Sequence, residues 1–472
     1  MTSHSHAGLP LHTLDSNRPS GSNNIIKKPI AIAKPQKNWI PTSVLADIFG
    51  IDEGDIDMWP GTSAYCRYVE LSFVAIMDPK FDAAWSKVGR SRPLKLAECW
   101  EWVATVAKAM PLQLTDGSIS EVWQDLSARS AASTSTTSDS PAGNLILFAT
   151  LLWTTMVFTP FIPSDLDAST AQLQARRQDG TVHTLKDDSF ERPLPTTFRQ
   201  LRRIMGAKRW QHLIGEDEKD ELTPTSLFPS SLDYGSLSDI CDVSIKWSDD
   251  LCSHLSLDPI TRQLSIFRFP SFCAMSCNIK DDHTPLITKS LEMLYGVDME
   301  TSNETMVDRP QPHREILMSY RLLFGQSRRS RVLVKQELEA LQKIRPDTFD
   351  PLLTTVCTRH LDHTLRGLPD YIWPRTCVDR KKGSLREFQE YNTSYDFPMF
   401  GQRLAKLQEF CLRQQPNKLR DFWRDRRHPL QWYTFWVVTI IGGVTVVLSI
   451  LQLLVGIAQL IVAIQLPNDC RD

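Results

Sequence analysis

The sequence predicts a mainly α protein, in which a helical cytosolic region is followed by a single C-terminal transmembrane helix. Three observations lead to this prediction. No charged side chain occurs from Pro429 to Asn468, and residues 432–466 are almost wholly apolar. This apolar run is longer than the ~20 residues that a helix needs to cross a bilayer. Several earlier segments repeat apolar residues at helical spacing. Residues 1–24 are polar, so no N-terminal signal peptide is expected.

Composition narrows the class of protein. The 472 residues carry a formal net charge of −2, and this balance gives no indication of nucleic-acid binding. At ~150 residues per domain, the length predicts two to four domains. Ten cysteines are spread along the chain without regular spacing, so we expect reduced, buried thiols in a cytosolic region. Cys470 lies beyond the apolar run, where it could form an interchain disulfide or be acylated.

The N-terminal part divides into two predicted regions. Residues 1–38 are rich in Ser, Asn, Pro and Lys and predict a disordered leader. Residues 39–163 predict a tryptophan-rich helical region, in which Leu94–Met110 is a helix bounded by Pro93 and Pro111.

A second apolar run, Asn144–Ile162, allows two interpretations. Its length permits a membrane span, but threonines and a proline interrupt it and it has no basic flanks. We therefore favour a buried helix of the cytosolic region and keep a second span as the alternative.

The polar residues 164–195 predict a loop or linker, and residues 196–411 predict a mostly helical cytosolic region. Within it, Phe198–Ile214 is predicted to be a basic amphipathic helix. Its basic side either contacts a membrane surface or, as we favour, is exposed to solvent and balanced in charge by the acidic run 216–221. The other predicted elements are a strand at Gln263–Phe269 and helices at His313–Ile344 (interrupted at Gly325), Asp350–Leu365 and Phe400–Arg413.

A basic juxtamembrane segment, residues 412–431, precedes the apolar run. Only Arg471 is basic after the run. Because loops rich in Lys and Arg stay cytoplasmic, the N-terminal bulk is predicted to be cytosolic and the tail 467–472 to lie across the membrane. Attraction of the same residues to anionic lipids is a further interpretation. The basic residues are Arg413, Lys418, Arg420, Arg424, Arg426 and Arg427.

The predicted transmembrane helix, residues 432–466, carries small and polar residues at steps of three and four, which is the a/d spacing of a heptad. Membrane helices associate through small residues and side-chain amides, so this face predicts a homo-oligomer or pairing with a partner transmembrane helix. A polar pore is less favoured because no ionisable residue lines it. We call this face the packing seam, and its members are Gly442, Thr445, Ser449, Gln452, Gly456, Gln459 and Ala463.

One cluster of possible metal ligands is present near the predicted helix Asp350–Leu365. Cys357, His360 and His363 follow one another at three-residue steps, and a thiolate with imidazoles suits zinc. The same steps spread the side chains over about 120° of a helix, and no fourth ligand is apparent. We therefore favour a polar helix face with Cys357 buried.

Other candidate chemistry in the sequence is weaker still. Cys273 and Cys277 lie near His254 and His283 in the chain but without a zinc-site spacing. The acidic residues 52–57 lack the loop pattern of a calcium site. Neither a phosphate-binding P-loop nor a metalloprotease or hydrolase motif occurs. No catalytic residue, cofactor or small-molecule ligand is therefore predicted.

Three segments in the C-terminal third of the chain resemble other proteins. They are LFGQSRRSRVLVKQELEALQ (Leu323–Gln342), FDPLLTTVCTRHLD (Phe349–Asp362) and LRQQPNKLRDFWRDRRHPLQWYTFWVVTIIGGVTVVLSILQLLVGIAQL (Leu412–Leu460). Over roughly residues 313–466 the chain resembles a family of uncharacterised filamentous-fungal membrane proteins, most specifically in RDRRHPLQWYTFW. The resemblance implies a fungal source, a variable N-terminal half and a shared membrane-proximal module. It implies no activity, cofactor or catalytic residue.

Three classes of function follow from the sequence. The favoured hypothesis is a non-enzymatic, single-pass, tail-anchored interaction or scaffold protein, with the lipid bilayer and other proteins as its partners. The alternatives are a membrane-tethered enzyme without a recognisable motif and, less favoured, an oligomeric pore.

Overall fold

The computed structural model is mainly α. It describes residues 40–93, 95–110, 117–129, 141–162, 174–176, 182–185, 187–206, 226–278, 286–295, 311–360, 368–379, 381, 384–386, 388–414 and 429–465. The predicted leader (1–38) and tail (467–472) lie outside these residues. The helices are α1 (Thr42–Phe49), α2 (Glu53–Ile56), α3 (Thr62–Phe73), α4 (Asp82–Lys87), α5 (Leu96–Ala109), α6 (Ile119–Arg129), α7 (Pro141–Thr155), α8 (Leu194–Gly206), α9 (Pro229–Leu232), α10 (Tyr234–Asp239), α11 (Pro270–Ser276), α12 (Leu286–Tyr295), α13 (Pro312–Tyr320), α14 (Arg328–Ile344), α15 (Leu352–Thr358), α16 (Gly401–Arg413) and α17 (Pro429–Gln465).

Among the described residues, short strands form four small sheets. One is antiparallel, in the order β1 (Pro160–Phe161), β2 (Gln174–Arg176) and β3 (Val182–Thr184). It lies mostly within the segment predicted to be a loop or linker. In a second sheet, β7 (Gln263–Phe267) pairs in parallel with β5 (Ser244–Ser248) and antiparallel with β6 (Ser256–Asp258). The two remaining pairs are antiparallel, β4 (Ser226–Leu227) with β10 (Tyr391–Asn392), and β8 (Val378–Asp379) with β9 (Ser384–Leu385).

The apolar helix α7 lies inside the protein. Every residue from Ala142 to Thr155 is buried, so the favoured interpretation of the second apolar run is confirmed. Two of its threonines are hydrogen-bonded inside the protein. Thr150 Oγ1 donates to the Ile146 carbonyl (2.8 Å) and accepts from Trp102 Nε1 (2.9 Å), and Thr155 Oγ1 donates to the Leu151 carbonyl (2.8 Å). These bonds let a polar side chain be buried without the penalty of an unpaired hydroxyl.

A buried carboxylate joins the two predicted helical regions. Asp350 accepts hydrogen bonds from Ser271 N (2.7 Å), Ser271 Oγ (2.8 Å) and Leu352 N (2.9 Å). The Ser271 hydroxyl oxygen in turn accepts from Gly61 N (3.1 Å). The starts of α3, α11 and α15 therefore meet at one carboxylate, and a single hydrophobic core contains buried side chains from Leu45 to Cys411. Burial raises the pKa of Asp350 to about 6.

The predicted interruption at Gly325 is confirmed. α13 continues into a π-helical turn at Arg321–Gly325 before α14 begins, with Ser327 Oγ accepting from Ser330 N at the start of α14. A Cβ at Gly325 would lie 2.3 Å from Arg321 Cζ. The missing side chain thus leaves room for the arginine, whose Nη1 donates to the carbonyls of Val356 (3.1 Å) and Arg359 (2.8 Å).

Helix α16 confirms the amphipathic pattern predicted for Phe400–Arg413. Phe400, Leu404, Leu407 and Cys411 are all buried. Its start is fixed by Glu315 of α13, whose Oε2 accepts from Met399 N and Phe400 N, both at 3.0 Å. A carboxylate at a helix N-terminus satisfies donors that the helix itself leaves unpaired.

One other predicted element is shorter than expected, and a second is described only in part. The strand predicted at Gln263–Phe269 ends at Phe267, because Phe269 already precedes α11 and Pro270 begins that helix. The basic helix is observed as α8, with Phe198 and Leu201 buried and Arg199 exposed. Residues 207–214 of the predicted helix lie outside the described part of the chain.

Candidate membrane anchor

Helix α17 is the candidate anchor. Of the residues that the structure describes, its segment Tyr433–Ile464 is the one helix long and apolar enough to cross a membrane, with 32 residues. At 1.5 Å per residue it is ~48 Å long, well above the ~30 Å hydrocarbon core. A helix of this length would fit such a bilayer only if it tilted or if one end projected into the headgroup region.

The burial of α17 is the reverse of that of α7, although both helices are apolar. Residues 437–464 are all exposed, whereas the body of α7 is buried. Exposure of so many Val, Ile and Leu side chains to water would lose ~25 cal/mol for each Å² of apolar surface. A patch of this size is typical of a protein or membrane contact. α7 has that contact within the chain, and α17 does not have it among the described residues.

The packing seam occupies one side of α17. At 100° per residue its seven members fall within an arc of about 100°. Thr445 and Ser449 use their hydroxyls within the helix, donating to the carbonyls of Ile441 and Thr445 at 2.8 Å each. Gln452 and Gln459 are exposed on the same arc, one heptad apart. Their amides are the polar groups of the seam best placed to bond to another helix.

The glycines of α17 are not required by packing within one chain. A Cβ built at Gly442, Gly443 or Gly456 meets no atom within 4 Å. Glycine weakens a helix by ~1 kcal/mol relative to alanine, so its presence here is unexplained by the isolated helix. Gly442 and Gly456 lie on the packing seam, where a missing side chain allows a second backbone to approach closely.

The entry to the anchor is only partly described. Tyr433 is exposed. The rings of Phe435 and Trp436 pack edge to face, with their centroids 6.3 Å apart. Aromatic side chains favour the headgroup boundary. Arg413, at the end of α16, is ion-paired with Glu409. The other basic residues of the juxtamembrane segment lie outside the described residues, namely Lys418, Arg420, Arg424, Arg426 and Arg427.

The structure does not place the candidate zinc ligands on one helix. The helix predicted at Asp350–Leu365 is observed as α15 and ends at Thr358, since Arg359 has extended backbone (φ −76°, ψ 146°). Cys357 is buried and His360, beyond the helix end, is exposed. Burial raises the pKa of the Cys357 thiol, which disfavours the thiolate that zinc requires. His363 lies outside the described residues, among which no group of three or more possible ligands could hold a metal ion.

The second set of possible ligands is engaged in the core. Phe267 N donates to His254 Nδ1 (3.2 Å), so His254 Nε2 is the protonated nitrogen and donates to Ser319 Oγ (2.8 Å). Burial, with the nearby Arg403, holds the pKa of His254 well below its usual value. Cys273 on α11 and Cys277 directly after its last residue are both buried, and His283 lies outside the described residues. The histidine is therefore a structural hydrogen-bonding group.

A cleft between α13 and the β8–β9 pair leaves space for about one water molecule, and Arg321, Trp373 and Tyr391 are among its lining residues. In the acidic turn 52–57, Asp55 accepts from Asn278 Nδ2 at 3.0 Å. The Asp55 carboxylate is thus engaged by a side chain of the protein.

Several groups were not found by sequence reasoning. Glu315 and Asp350 are buried carboxylates that fix helix starts, and Cys241 contacts Cys411 across 170 positions. The only sequence signal for Glu315 is its place in the first turn of a helix after Pro312. No protein-family model, curated protein or solved structure matches the chain.

Proposed function

We propose that this chain is a single-pass membrane protein whose helical body faces the cytosol and holds other proteins at the membrane surface. The proposal rests mainly on α17, which contains no charged residue and is exposed throughout residues 437–464. One face of this helix carries small and polar residues. Two copies of the chain associate through the packing seam, because amides in a hydrocarbon medium gain from bonding to each other.

The orientation is supported by the asymmetry of the flanking charges. The resemblance to filamentous-fungal membrane proteins supports a shared membrane-proximal module, and its segments correspond to α14, α15 and α17 with their connections. A binding role rather than catalysis is supported by two buried carboxylates, Asp350 and Glu315, both of which are used to fix helix starts.

Paired glycine substitutions give the sharpest test of association. Gly456 lies near the centre of the packing seam, and Gly443 lies about 150° from the centre, on the other side of the helix. Neither has an atom within 4 Å of a Cβ position. Leucine should therefore be tolerated at both in a monomer, while Gly456→Leu should block a close helix pair and Gly443→Leu should not. The measurement is the size of the full protein in mild detergent by native electrophoresis.

A second test removes the amides. Each interhelical hydrogen bond contributes ~0.6–2 kcal/mol, so Gln452→Leu combined with Gln459→Leu should weaken a dimer by about 2 kcal/mol, or about 30-fold. Dilution series of the wild type and the double variant would measure the change. Identical dissociation curves for the two proteins, together with equal sizes for the two glycine variants, would show that the packing seam does not mediate association.

Orientation is tested with the two N-x-Ser/Thr sites of the sequence, Asn303 and Asn392. Asn303 lies outside the described residues. Asn392 is exposed, and glycosylation of such a site requires the secretory lumen. We expect no mobility shift on endoglycosidase treatment and recovery of the protein in a carbonate-resistant membrane pellet. A shift that is lost in Asn303→Gln with Asn392→Gln would place the body in the lumen and refute the orientation.

A further inference from the structure

Two buried cysteine side chains from distant parts of the chain lie in direct contact. The Sγ atoms of Cys241 and Cys411 are 3.0 Å apart, and both residues are 0% exposed. Carbon atoms in ordinary contact lie ~3.5–4.0 Å apart, so this separation is already close for two larger sulfur atoms. A disulfide bond is ~2.05 Å long. An approach of about 1 Å would therefore join the two sulfurs.

The turn that carries Cys241 is held in place on both sides. It lies between α10 and β5, where Asp242 adopts a φ of 56°. The Cys241 carbonyl accepts from Arg262 Nη1 at 3.1 Å. The Arg262 carbonyl in turn accepts from Ser244 N at 3.0 Å. These bonds fix the backbone from which the Cys241 thiol projects.

Helix α16, which carries Cys411, is held at two points. Arg403 Nη1 donates to the Cys252 carbonyl (2.7 Å) near the start of the helix. One turn before Cys411, Gln408 Oε1 accepts from Phe228 N (2.6 Å) and its Nε2 donates to the Ser226 carbonyl (2.9 Å). The two thiols therefore meet because independent contacts position both backbones.

We propose that Cys241 and Cys411 are a redox modification site, at which a reversible disulfide fastens α16 to the turn before β5. Helix α16 is the last described element before the anchor, so the bond would link the body covalently to the helix from which the juxtamembrane segment emerges. Formation of the bond does not depend on the packing seam, whereas its reversibility in the cell rests on the cytosolic orientation proposed above.

Hydrogen peroxide is a sufficient oxidant. The Cys411 thiolate attacks one peroxide oxygen, the O–O bond breaks, and the departing hydroxide takes up a proton and leaves as water. The Cys241 thiolate then attacks the sulfenic sulfur of Cys411, which forms the S–S bond and expels hydroxide. This hydroxide takes up the proton that the Cys241 thiol lost and leaves as a second water. Two thiols and one peroxide thus give one disulfide and two waters. Cys411 lies two residues from the end of α16, where helix fraying gives the oxidant access.

The tryptic peptides make the link easy to identify. Cleavage yields Asp220–Lys246, in which Cys241 is the one cysteine, and Leu407–Arg413, in which Cys411 is the one cysteine. We would treat the full reduced protein in detergent with hydrogen peroxide, block the remaining thiols and search by mass spectrometry. We expect the linked pair of peptides, its loss on treatment with dithiothreitol, and its absence in Cys411→Ala. Cys377→Ala, which removes another buried cysteine, is the control that retains the link.

Thermal unfolding provides a second readout. Closing a loop of this length in the unfolded chain should raise the unfolding midpoint by about 5 °C. Each protein is compared with its own reduced form, so a destabilised Cys411→Ala variant remains informative and should show no rise. Complete alkylation of both thiols after oxidation would overturn the proposal. So would linkage of Cys411 to a different cysteine, or a link that forms without any rise in the midpoint.

Discussion

Replacement of Glu315 by glutamine tests the buried carboxylate that starts α16. Glu315 is 3% exposed, and its Oε2 accepts from both Met399 N and Phe400 N. A glutamine oxygen in the Oε2 position preserves both bonds, and the amide cannot ionise. Burial raises the pKa of Glu315 to about 8, against the opposing effect of the two backbone donors. The substitution therefore removes a titration while it keeps most of the contacts.

The sign of the effect follows from proton linkage. Between about pH 4.5 and pH 8 the folded protein holds a proton on Glu315 that the unfolded chain has lost, so the free energy of unfolding decreases as pH rises. This contribution is fully present below about pH 4.5 and is lost through pH 8. Asp350, with its pKa raised to about 6, acts in the same direction at lower pH. His254 and His313 have lowered pKa values and act in the opposite direction below about pH 6.5.

The informative window is therefore pH 6.5 to 8, where Glu315 titrates apart from those other groups. At 1.36 kcal/mol per pH unit, the wild type should lose about 2 kcal/mol across this window relative to Glu315→Gln. Chemical unfolding of the two full-length proteins in the same detergent would measure the difference. Glu339→Gln, at an exposed position of α14, is the control and should follow the wild type. Parallel stability curves for the wild type and Glu315→Gln would refute the assignment of a raised pKa.

Two further predictions concern the core. Gly61→Ala should destabilise the protein by about 3 kcal/mol, because the new Cβ would lie 2.1 Å from Asp350 Oδ1. The control is Gly54→Ala, whose new Cβ would have no atom within 4 Å and which should be neutral or stabilising in thermal unfolding. Thr150→Val should destabilise by about 1–3 kcal/mol, because it leaves Trp102 Nε1 buried without its acceptor. An unchanged midpoint for either destabilising variant, measured beside the wild type, would contradict the contact concerned.

Patterns local in sequence were predictable. Apolar periodicity located α16, proline positions bounded α5, and the long charge-free run located α17. The small sheet β1–β2–β3 was missed because its strands are only two or three residues long, so they carry no alternation to detect. The early end of α15 at Thr358 was also missed, since residues beyond it have no proline or glycine before Gly367 to signal a stop.

Contacts between distant residues could not be predicted from one sequence. Nothing local to Asp350 indicates that Ser271 and Gly61 complete its network. Nothing local to Cys411 indicates a second thiol 170 positions earlier. The packing seam is the opposite case, since its members lie on one helix and periodicity alone identifies them. This difference explains why the anchor was accessible to sequence reasoning while the contacts that fix α16 were not.

The orientation of the body also determines the chemistry of the cysteine pair. In a cytosol that keeps thiols reduced, Cys241 and Cys411 would remain a dithiol until an oxidant reached them, and the link would be transient. In an oxidising lumen the same contact would become a permanent disulfide as the chain folds, and Asn392 would be open to glycosylation. The redox state of the pair in freshly isolated protein and the glycosylation of Asn392 therefore report on the same property by independent chemistry. A reduced pair on an unglycosylated chain is the combination that the basic segment before the anchor predicts.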